Sequence, residues 1–212
     1  MSEDYEMRRI PIQLRSQRKV QAILDTAAQL FAEVGYGAAT TNAIAKRANL
    51  GIATLYRFFP NKAAILKALS DRYLSQIAEL NQSVFAAHRI QTLSLPELME
   101  QVVDTFADFC LNEPGFEYLF YGTEARDYLR SVTLLIHQEI VSQVESVLER
   151  HISHLNAEDR RVVANLAVSA MQATMPLVIM SQKPRQKAFL VQLKRMLTTY
   201  LQTIAADEEQ VG

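Results

Sequence analysis

The chain has 212 residues, 22 of them basic and 23 acidic for a formal net charge of −1, with 49% hydrophobic content, one cysteine and no tryptophan. That size and apolar content exclude a disordered chain and support one compact unit or two small ones, while a lone Cys110 excludes a disulfide framework or a cysteine-based zinc site and suits a reducing cytoplasm. No run approaches the roughly 18 to 20 apolar residues of a membrane span, the N-terminal MSEDYEMRRIPIQLRSQRK lacks the apolar core of a signal peptide, and a cytoplasmic protein with no membrane partner is expected.

Glycine is scarce, β-branched alternation is nearly absent, and apolar residues recur at spacings of three and four, so the expected fold class is all-α. The first helix is expected over about 16–34. Val20, Ile23, Leu24, Ala27, Leu30, Phe31 and Val34 form its stripe, and Gly35 suits the C′ position. Thr40 and Thr41 offer an N-cap for a short helix over about 41–48, with Ile44, Ala45 and Ala48 inward. Asn49-Leu50-Gly51 is a tight break before a third helix over about 52–58. Pro60-Asn61 stops that helix, and Asn61 can cap a fourth, whose inner face is Ile65, Leu66, Leu69, Tyr73, Ile77 and Leu80. Residues 81–94 read as a polar connection. A helix over about 95–111 ends at the break Asn112-Glu113-Pro114-Gly115, and a short aromatic piece covers 116–121. Long helices are expected over about 124–151, 157–180 and 186–205. Asn156 or a neighbour caps the second of these, and Pro176 should kink or shorten it.

The net charge hides a split. Residues 1–62 hold nine bases (Arg8, Arg9, Arg15, Arg18, Lys19, Lys46, Arg47, Arg57, Lys62) and five acids, or +4, whereas the remainder holds 13 bases and 18 acids, or −5. A basic head on an acidic body suggests an anionic partner for the head, although ordinary scatter also produces an excess of that size. The short helices over 41–48 and 52–58, joined by about three residues including Gly51, have the spacing of a helix-turn-helix. In that motif the first helix braces on phosphates, and the second lies in a major groove with its N-terminal residues at base edges. Gly51, Ala53 and Thr54 make the second helix thin at its start, and Lys46, Arg47, Arg57 and Lys62 surround it with positive charge. A plain helical hairpin with solvated charges has the same spacing.

The string Arg18, Ile23-Leu24, Ala27-Ala28, Leu30-Phe31, Gly35-Tyr36, Thr40-Thr41, Ile44-Ala45, Ala48, Thr54-Leu55-Tyr56, Phe59, Lys62 and Ile65-Leu66 resembles the tetracycline-repressor-like (TetR) family of bacterial transcription regulators. The match covers about residues 18–66. The resemblance implies an all-helical fold with a three-helix DNA-binding head, here 1–62 with its N-terminal arm, and a larger ligand-binding and dimerisation body, here 63–212. It implies a ligand-responsive regulator, a repressor, that binds pseudo-palindromic double-stranded operator DNA as a homodimer and is released by a small-molecule effector. Thr41 then matches a capping and phosphate-contacting threonine, and Gly51, Ile52, Ala53 and Thr54 match the base-reading segment. Tyr56 matches a tyrosine whose hydroxyl contacts phosphate, and Lys62 a lysine that holds phosphate. Lys46 and Arg57 are further DNA-binding candidates, with Arg57 equally readable as a solvated outer-face arginine. Phe31, Ile44, Leu55 and Phe59 match core positions. Three positions depart from the family pattern. Gly51 stands where serine is frequent, which removes a cap and a phosphate contact. Phe58 stands where tyrosine or histidine is frequent, which removes a polar group, and Ala63 stands where glutamate is frequent, which weakens local helix capping.

Beyond residue 66 only the helical layout matches. Phe106, Phe109, Tyr118, Tyr121, Met171 and Met175 are the candidate lining of an apolar pocket for a hydrophobic or aromatic effector. Stripes of Phe and Met are more often plain core, and that reading stays open. Val163, Leu166 and Ala170, with Phe189, Leu193, Leu197 and Tyr200, form the candidate dimer interface, a four-helix bundle built from two helices of each chain. Two recognition helices would then enter successive major grooves about 34 to 36 Å apart. A ligand releases DNA only by favouring another head spacing, and the fourth helix is the expected transmission element.

No catalytic residue, metal or cofactor is expected. His151 and His154 lack a cysteine or clear carboxylate partner, no Gly-x-Ser-x-Gly, P-loop or Gly-x-Gly-x-x-Gly occurs, and Cys110 lies in an apolar run that suits a small buried hydrophobe. The alternative function is an all-helical dimeric small-molecule carrier or scaffold without DNA binding, which would show no salt-dependent affinity for DNA.

Overall fold

A computed structural model describes residues 6–7, 14–86, 91–116 and 126–206, the side chains of 126–132 excepted. Among the described residues the secondary structure is helical, without strands. The helices are α1 (Leu14–Ala38), α2 (Thr41–Arg47), α3 (Ile52–Phe58), α4 (Lys62–Val84), α5 (Leu95–Asn112), α6 (Arg126–His151), α7 (Ala157–Ile179) and α8 (Lys183–Ala206). They divide into two compact units, one of residues 1–76 and 113–130, the other of 77–112 and 131–212. The division falls inside α4, after its fifteenth residue, and the first unit also takes the stretch that follows α5.

In the first unit the α1 stripe of Val20, Ile23, Leu24, Ala27, Leu30 and Phe31 is buried, as its spacing requires. Val34, expected on that stripe, is exposed, because α1 breaks one residue later at Gly35. Gly35 has φ 81° and ψ 160°, a conformation that residues with a Cβ adopt only under strain. The cap of α2 is Thr40, in extended backbone, whose hydroxyl accepts from the Ala43 N–H at 3.1 Å. Thr41, offered by the sequence as an alternative cap, is instead the first helical residue. Asn61 caps α4, its side-chain oxygen accepting from the Ala64 N–H at 2.8 Å. Ile44, Leu55, Phe58, Phe59, Ile65 and Leu69 join α1 in the core. Each such side chain contributes roughly 1.5–3 kcal/mol on burial.

The stretch after α5 is fastened to this unit. The buried Tyr73 hydroxyl of α4 donates to the Pro114 carbonyl, and the Tyr73 ring meets Phe116 edge-on at 5.7 Å. Burial pushes the Tyr73 hydroxyl up to about 12. Gly115 has φ 77°, and a Cβ there would lie 2.6 Å from the Ala28 carbonyl oxygen. Of the aromatic piece expected over 116–121, only Phe116 lies among the described residues.

In the second unit Glu97 reaches back to cap the residue before α5. Ser94 donates to Glu97 from its N–H (2.9 Å) and its hydroxyl (2.6 Å), and these bonds hold Glu97 below the usual carboxylate range. Leu98 and Met99 of α5, Val141, Val144, Val147 and Leu148 of α6, Val163, Ala164 and Val168 of α7, and Leu201 of α8 share one core. Lys194 of α8 ties back to Asp104 (2.7 Å) and Glu100 (3.4 Å) of α5. Asn156 caps α7, accepting from the Asp159 N–H at 2.9 Å. Helix α7 runs through Pro176 to Ile179, so the proline does not shorten it. Helix α4 continues to Val84 and α8 begins at Lys183, so the connections expected at 81–94 and 181–185 are both shorter than their polarity suggested.

One composition-level expectation needs correcting. Helix α7 is long and apolar enough to cross a membrane by length and composition, with a mean hydropathy of 1.7 over its best 18 residues. Its buried face explains much of that hydropathy: Val163, Ala164, Ala167, Val168, Met171, Met175 and Val178 are inside the unit.

The two glycines with the sharpest contrast give the first prediction. Gly115→Ala should cost at least about 2 kcal/mol in urea-unfolding free energy, since it adds backbone strain and a clash with Ala28. Gly51→Ala, at φ −66° with nothing within 4 Å of the new Cβ, should change it by less than about 0.5 kcal/mol. Equal effects at the two sites would contradict the packing described for Gly115.

Candidate nucleic-acid interface and ligand cavity

The turn between α2 and α3 is formed locally. Asn49 takes a left-handed φ of 54°, Leu50 N–H donates to Ala45 at 2.9 Å, and Gly51 opens α3 without a side-chain cap. Leu55 and Phe58 point α3 inward, which leaves Gly51, Ala53, Tyr56 and Arg57 exposed and Ile52 and Thr54 half-buried. The small Gly51 and Ala53 keep the exposed start of α3 low. The Tyr56 and Thr41 hydroxyls lie 3.1 Å apart and hydrogen-bond each other. One hydroxyl comes from each helix of the motif, so a group that binds the pair touches both helices. The bond sets aside the capping role of Thr41 but places its oxygen beside Tyr56. Phe58, which departs from the family pattern, is buried, so its ring serves the core of the unit where a polar side chain would have faced outward.

The charges sort themselves by partner. Arg47 is held by Glu33 through two contacts of 2.5 and 2.6 Å, which also keep Glu33 below the usual carboxylate range. Arg72 pairs with Asp25 at 2.5 Å, and Lys67 with Asp71 at 2.9 Å. Lys46 and Arg57 are exposed and have no ion pair among the described residues, the Arg57 guanidinium resting 5.1 Å over the Phe58 ring. Arg15 and Arg18, near the start of α1, are exposed as well. The exposed cations are thus Lys46 on α2 and Arg57 on α3, with Arg15 and Arg18 on α1.

Lys62 has another occupation. Its ammonium donates to the carbonyls of Tyr36 (2.5 Å), Gly37 (3.2 Å) and Ala39 (2.8 Å) and lies 4.3 Å over the Tyr36 ring. An ammonium has three protons to give, and all three are engaged. Lys62, a phosphate-holding candidate by resemblance, here clamps the turn after α1. The acceptors are main-chain carbonyls, which leave no trace in a sequence pattern.

The cavity lies in the second unit. Leu80, Asn81 and Val84 of α4, with Phe85 beyond it, face Met99, Val102 and Phe106 of α5. Ile140 and Val144 of α6, Ala167, Val168 and Met171 of α7, and Leu197 of α8 complete the lining. The cavity volume is small, about 30 Å³, and the space continues into open solvent. Phe106 and Met171 are where the sequence reading placed them. Phe109 and Met175 are buried one turn further along the same helix faces, outside the lining. Tyr118 and Tyr121 lie outside the described residues. Asn81, missed because it opens a polar-looking stretch, is on the same face of α4 as Ile77 and Val84. Cys110 is 3% exposed, and burial pushes its thiol up to about 12, a setting unlike that of a nucleophile.

The interface residues also need sorting. Val163, Leu193 and Leu197 are buried within their own unit, because these stripes face inward and hold α7 and α8 in place. Ala170, Phe189 and Tyr200 are half-buried. The outward face of α7 carries the expected Leu166 (54% exposed) with Val162, Ala173 and Leu177, interrupted by Ser169 and continued by Met180 at the C-cap, and Val191 and Met196 are exposed on α8. The α7 residues recur at three- and four-residue steps and make one stripe.

Known proteins match both parts. Residues 23–69 fit the model of bacterial regulatory proteins of the tetR family, and residues 94–201, more than half the chain, fit the tetracyclin repressor-like C-terminal domain. An uncharacterised HTH-type transcriptional regulator, YvkB of Bacillus subtilis (strain 168), is 45% identical over 53 residues, which span 25% of this chain and 28% of that protein. A TetR-family transcriptional regulator from Streptomyces coelicolor matches over 89% of this chain and 98% of its own, at 25% identity and a TM-score of 0.63. The regulator FadR from Bacillus subtilis, solved with stearoyl-CoA, matches over 85% and 96% at 20% identity and 0.65. RolR, solved with resorcinol, matches over 90% and 94% at 17% identity and 0.53. The last two likenesses speak for the fold.

A clamp and a surface cation should behave differently when removed. Lys62→Met should lower unfolding free energy by about 1.5–3 kcal/mol, the worth of charge-assisted bonds to carbonyls, whereas Lys46→Ala should leave it within about 0.5 kcal/mol. Thermal or urea denaturation reads both, and a neutral Lys62→Met would refute the clamp.

Proposed function

This chain belongs to the tetR family of bacterial transcriptional regulators, and from that premise we propose that it is a ligand-responsive repressor that binds a pseudo-palindromic operator as a homodimer and leaves it when a small hydrophobic effector fills the cavity. The observation that carries the DNA-binding part is the outer face of α2 and α3. There a low helix start, a paired Thr41 and Tyr56 hydroxyl, and the cations Lys46 and Arg57 stand together without intramolecular ion pairs among the described residues. Thr41, Tyr56, Lys46 and Arg57 take backbone phosphates, and Gly51, Ile52, Ala53 and Thr54 take base edges. Lys62 supports this face from behind rather than touching DNA.

The dimer in this reading joins the exposed α7 stripe to the same stripe of a second copy, with α8 alongside, as two-fold symmetry favours. Effector response is supported by the apolar cavity, and by FadR and RolR, each similar in fold and each solved with a bound organic molecule. Two helices carry the coupling. Helix α4 bears cavity residues at Leu80, Asn81 and Val84 and head residues at Ile65, Leu69 and Tyr73. Helix α5 bears Met99, Val102 and Phe106, and the residues directly after it are those fastened to Tyr73 and Ala28. A ligand that binds one arrangement of these helices better shifts the equilibrium toward it.

Gel shifts on DNA upstream of the chain's own and neighbouring genes, over a range of salt, test the first part. Lys46→Ala and Arg57→Ala should each flatten the log-affinity against log-salt slope by about 0.9, Tyr56→Phe should weaken all sequences alike, and Thr54→Ala should change site preference. No DNA binding with any salt slope would refute the regulator and favour a carrier.

The interface has its own readout. Leu166→Arg should yield a monomer by light scattering and lower operator affinity at least about tenfold, because a charge on the stripe blocks apolar pairing. A dimer that survives Leu166→Arg would place the interface elsewhere.

A further inference from the structure

We infer that the cavity selects an uncharged, mainly apolar molecule with one hydrogen-bonding group, and that Asn81 is the residue that reads this group. The inference deepens the effector reading above and rests on it. Among the described residues, twelve of the thirteen that line the space are apolar, and none of the thirteen carries an ionisable side chain. A carboxylate, phosphate or ammonium placed there would lose its water without gaining a counter-charge, a cost that apolar contact does not return. Lys194, Glu100 and Asp104, in the same unit, satisfy one another and are not part of the lining.

Asn81 is the exception in the lining. It is 8% exposed and sits on α4 between Leu80 and Val84, which line the same space. A carboxamide both donates and accepts, so it matches an alcohol, phenol, ketone, ester or amide. In apolar surroundings its preference is sharp, since a ligand without a polar group leaves the amide unpaired. The enclosed part of the space holds no more than a few water molecules. The ligand is therefore slender, and it enters by displacing adaptable side chains such as Met99, Met171 and Phe106. Asn81 lies eight residues beyond Tyr73 on one helix, so the residue that reads the ligand and the residue that fastens the head share α4.

The test uses the full-length protein and four probes of similar shape at pH 7: 4-butylphenol, 4-butyltoluene, 4-butylbenzoate and 4-butylbenzylammonium, titrated calorimetrically. The phenol should bind best, the hydrocarbon about fivefold or more weaker, and the two ions at least about tenfold weaker. Asn81→Leu should bring phenol and hydrocarbon to within about twofold of each other, and continued hydrocarbon binding shows that the variant is folded. Met171→Trp should fill the space and abolish binding of all four. The inference is overturned if either ion binds as well as the phenol, if Asn81→Leu keeps the phenol preference, or if no probe binds the wild type. Operator binding without ligand is measured alongside. If it persists while the probe results fail, the cavity chemistry alone is wrong; if it is absent, the regulator reading is what fails.

Discussion

Three carbonyl oxygens just beyond Gly35 share one ammonium group, that of Lys62 at the first turn of α4. The contact joins the end of α1 to the beginning of α4 across 26 residues. The two short helices α2 and α3 and the turn between them lie between those two points. The chain can reach this arrangement only because Gly35 turns it in a conformation closed to other residues. Beneath the enclosed segment Phe31, Ile44, Leu55 and Phe59 fill the interior. The work of holding the head together is thus done from the side and from below. The outer face is released from that duty, which is why Lys46 and Arg57 stand without acidic partners among the described residues while Arg47, Lys67 and Arg72 are all paired.

The body solves a different problem. Its helix α7 is apolar on two sides, one packed inward through Val163, Val168 and Met175 and one turned out through Val162, Leu166 and Leu177. A helix with two apolar faces needs two neighbours. The intramolecular neighbours cover the first face, and a second copy is the natural cover for the other. The cavity sits on the inward side of the same helix, at Ala167, Val168 and Met171, so the cavity and the exposed apolar stripe are on opposite sides of one element.

Much of this was legible in the residues. Regular stripes such as Val20 to Phe31 and Ile65 to Ile77 placed helices to within a few residues, and Asn61 and Asn156 announced their caps. What escaped notice did so for physical reasons. Thr40 and Thr41 are equivalent as letters, and only backbone geometry decides that one caps while the other meets Tyr56. The clamp made by Lys62 was invisible because its acceptors are carbonyls, which every residue has. Asn81 looked like the start of a linker because polarity is averaged over a stretch, whereas burial is decided face by face. The same limitation mixed inward Val163, Leu193 and Leu197 with outward Leu166, since spacing alone defines a stripe but not its direction.

The chain passes between its two compact units three times, within α4, after α5 and again within α6. The reading head is consequently no cassette. A segment cut at residue 62 would leave behind Tyr73 and the loop at Pro114 to Phe116, parts that lie against its own α1 and α4. Exchanging heads between relatives would require carrying two separate pieces of chain together. Drift in the body faces a similar boundary: α5 can change what it presents to a ligand, but its length must still deliver a glycine opposite the Ala28 carbonyl.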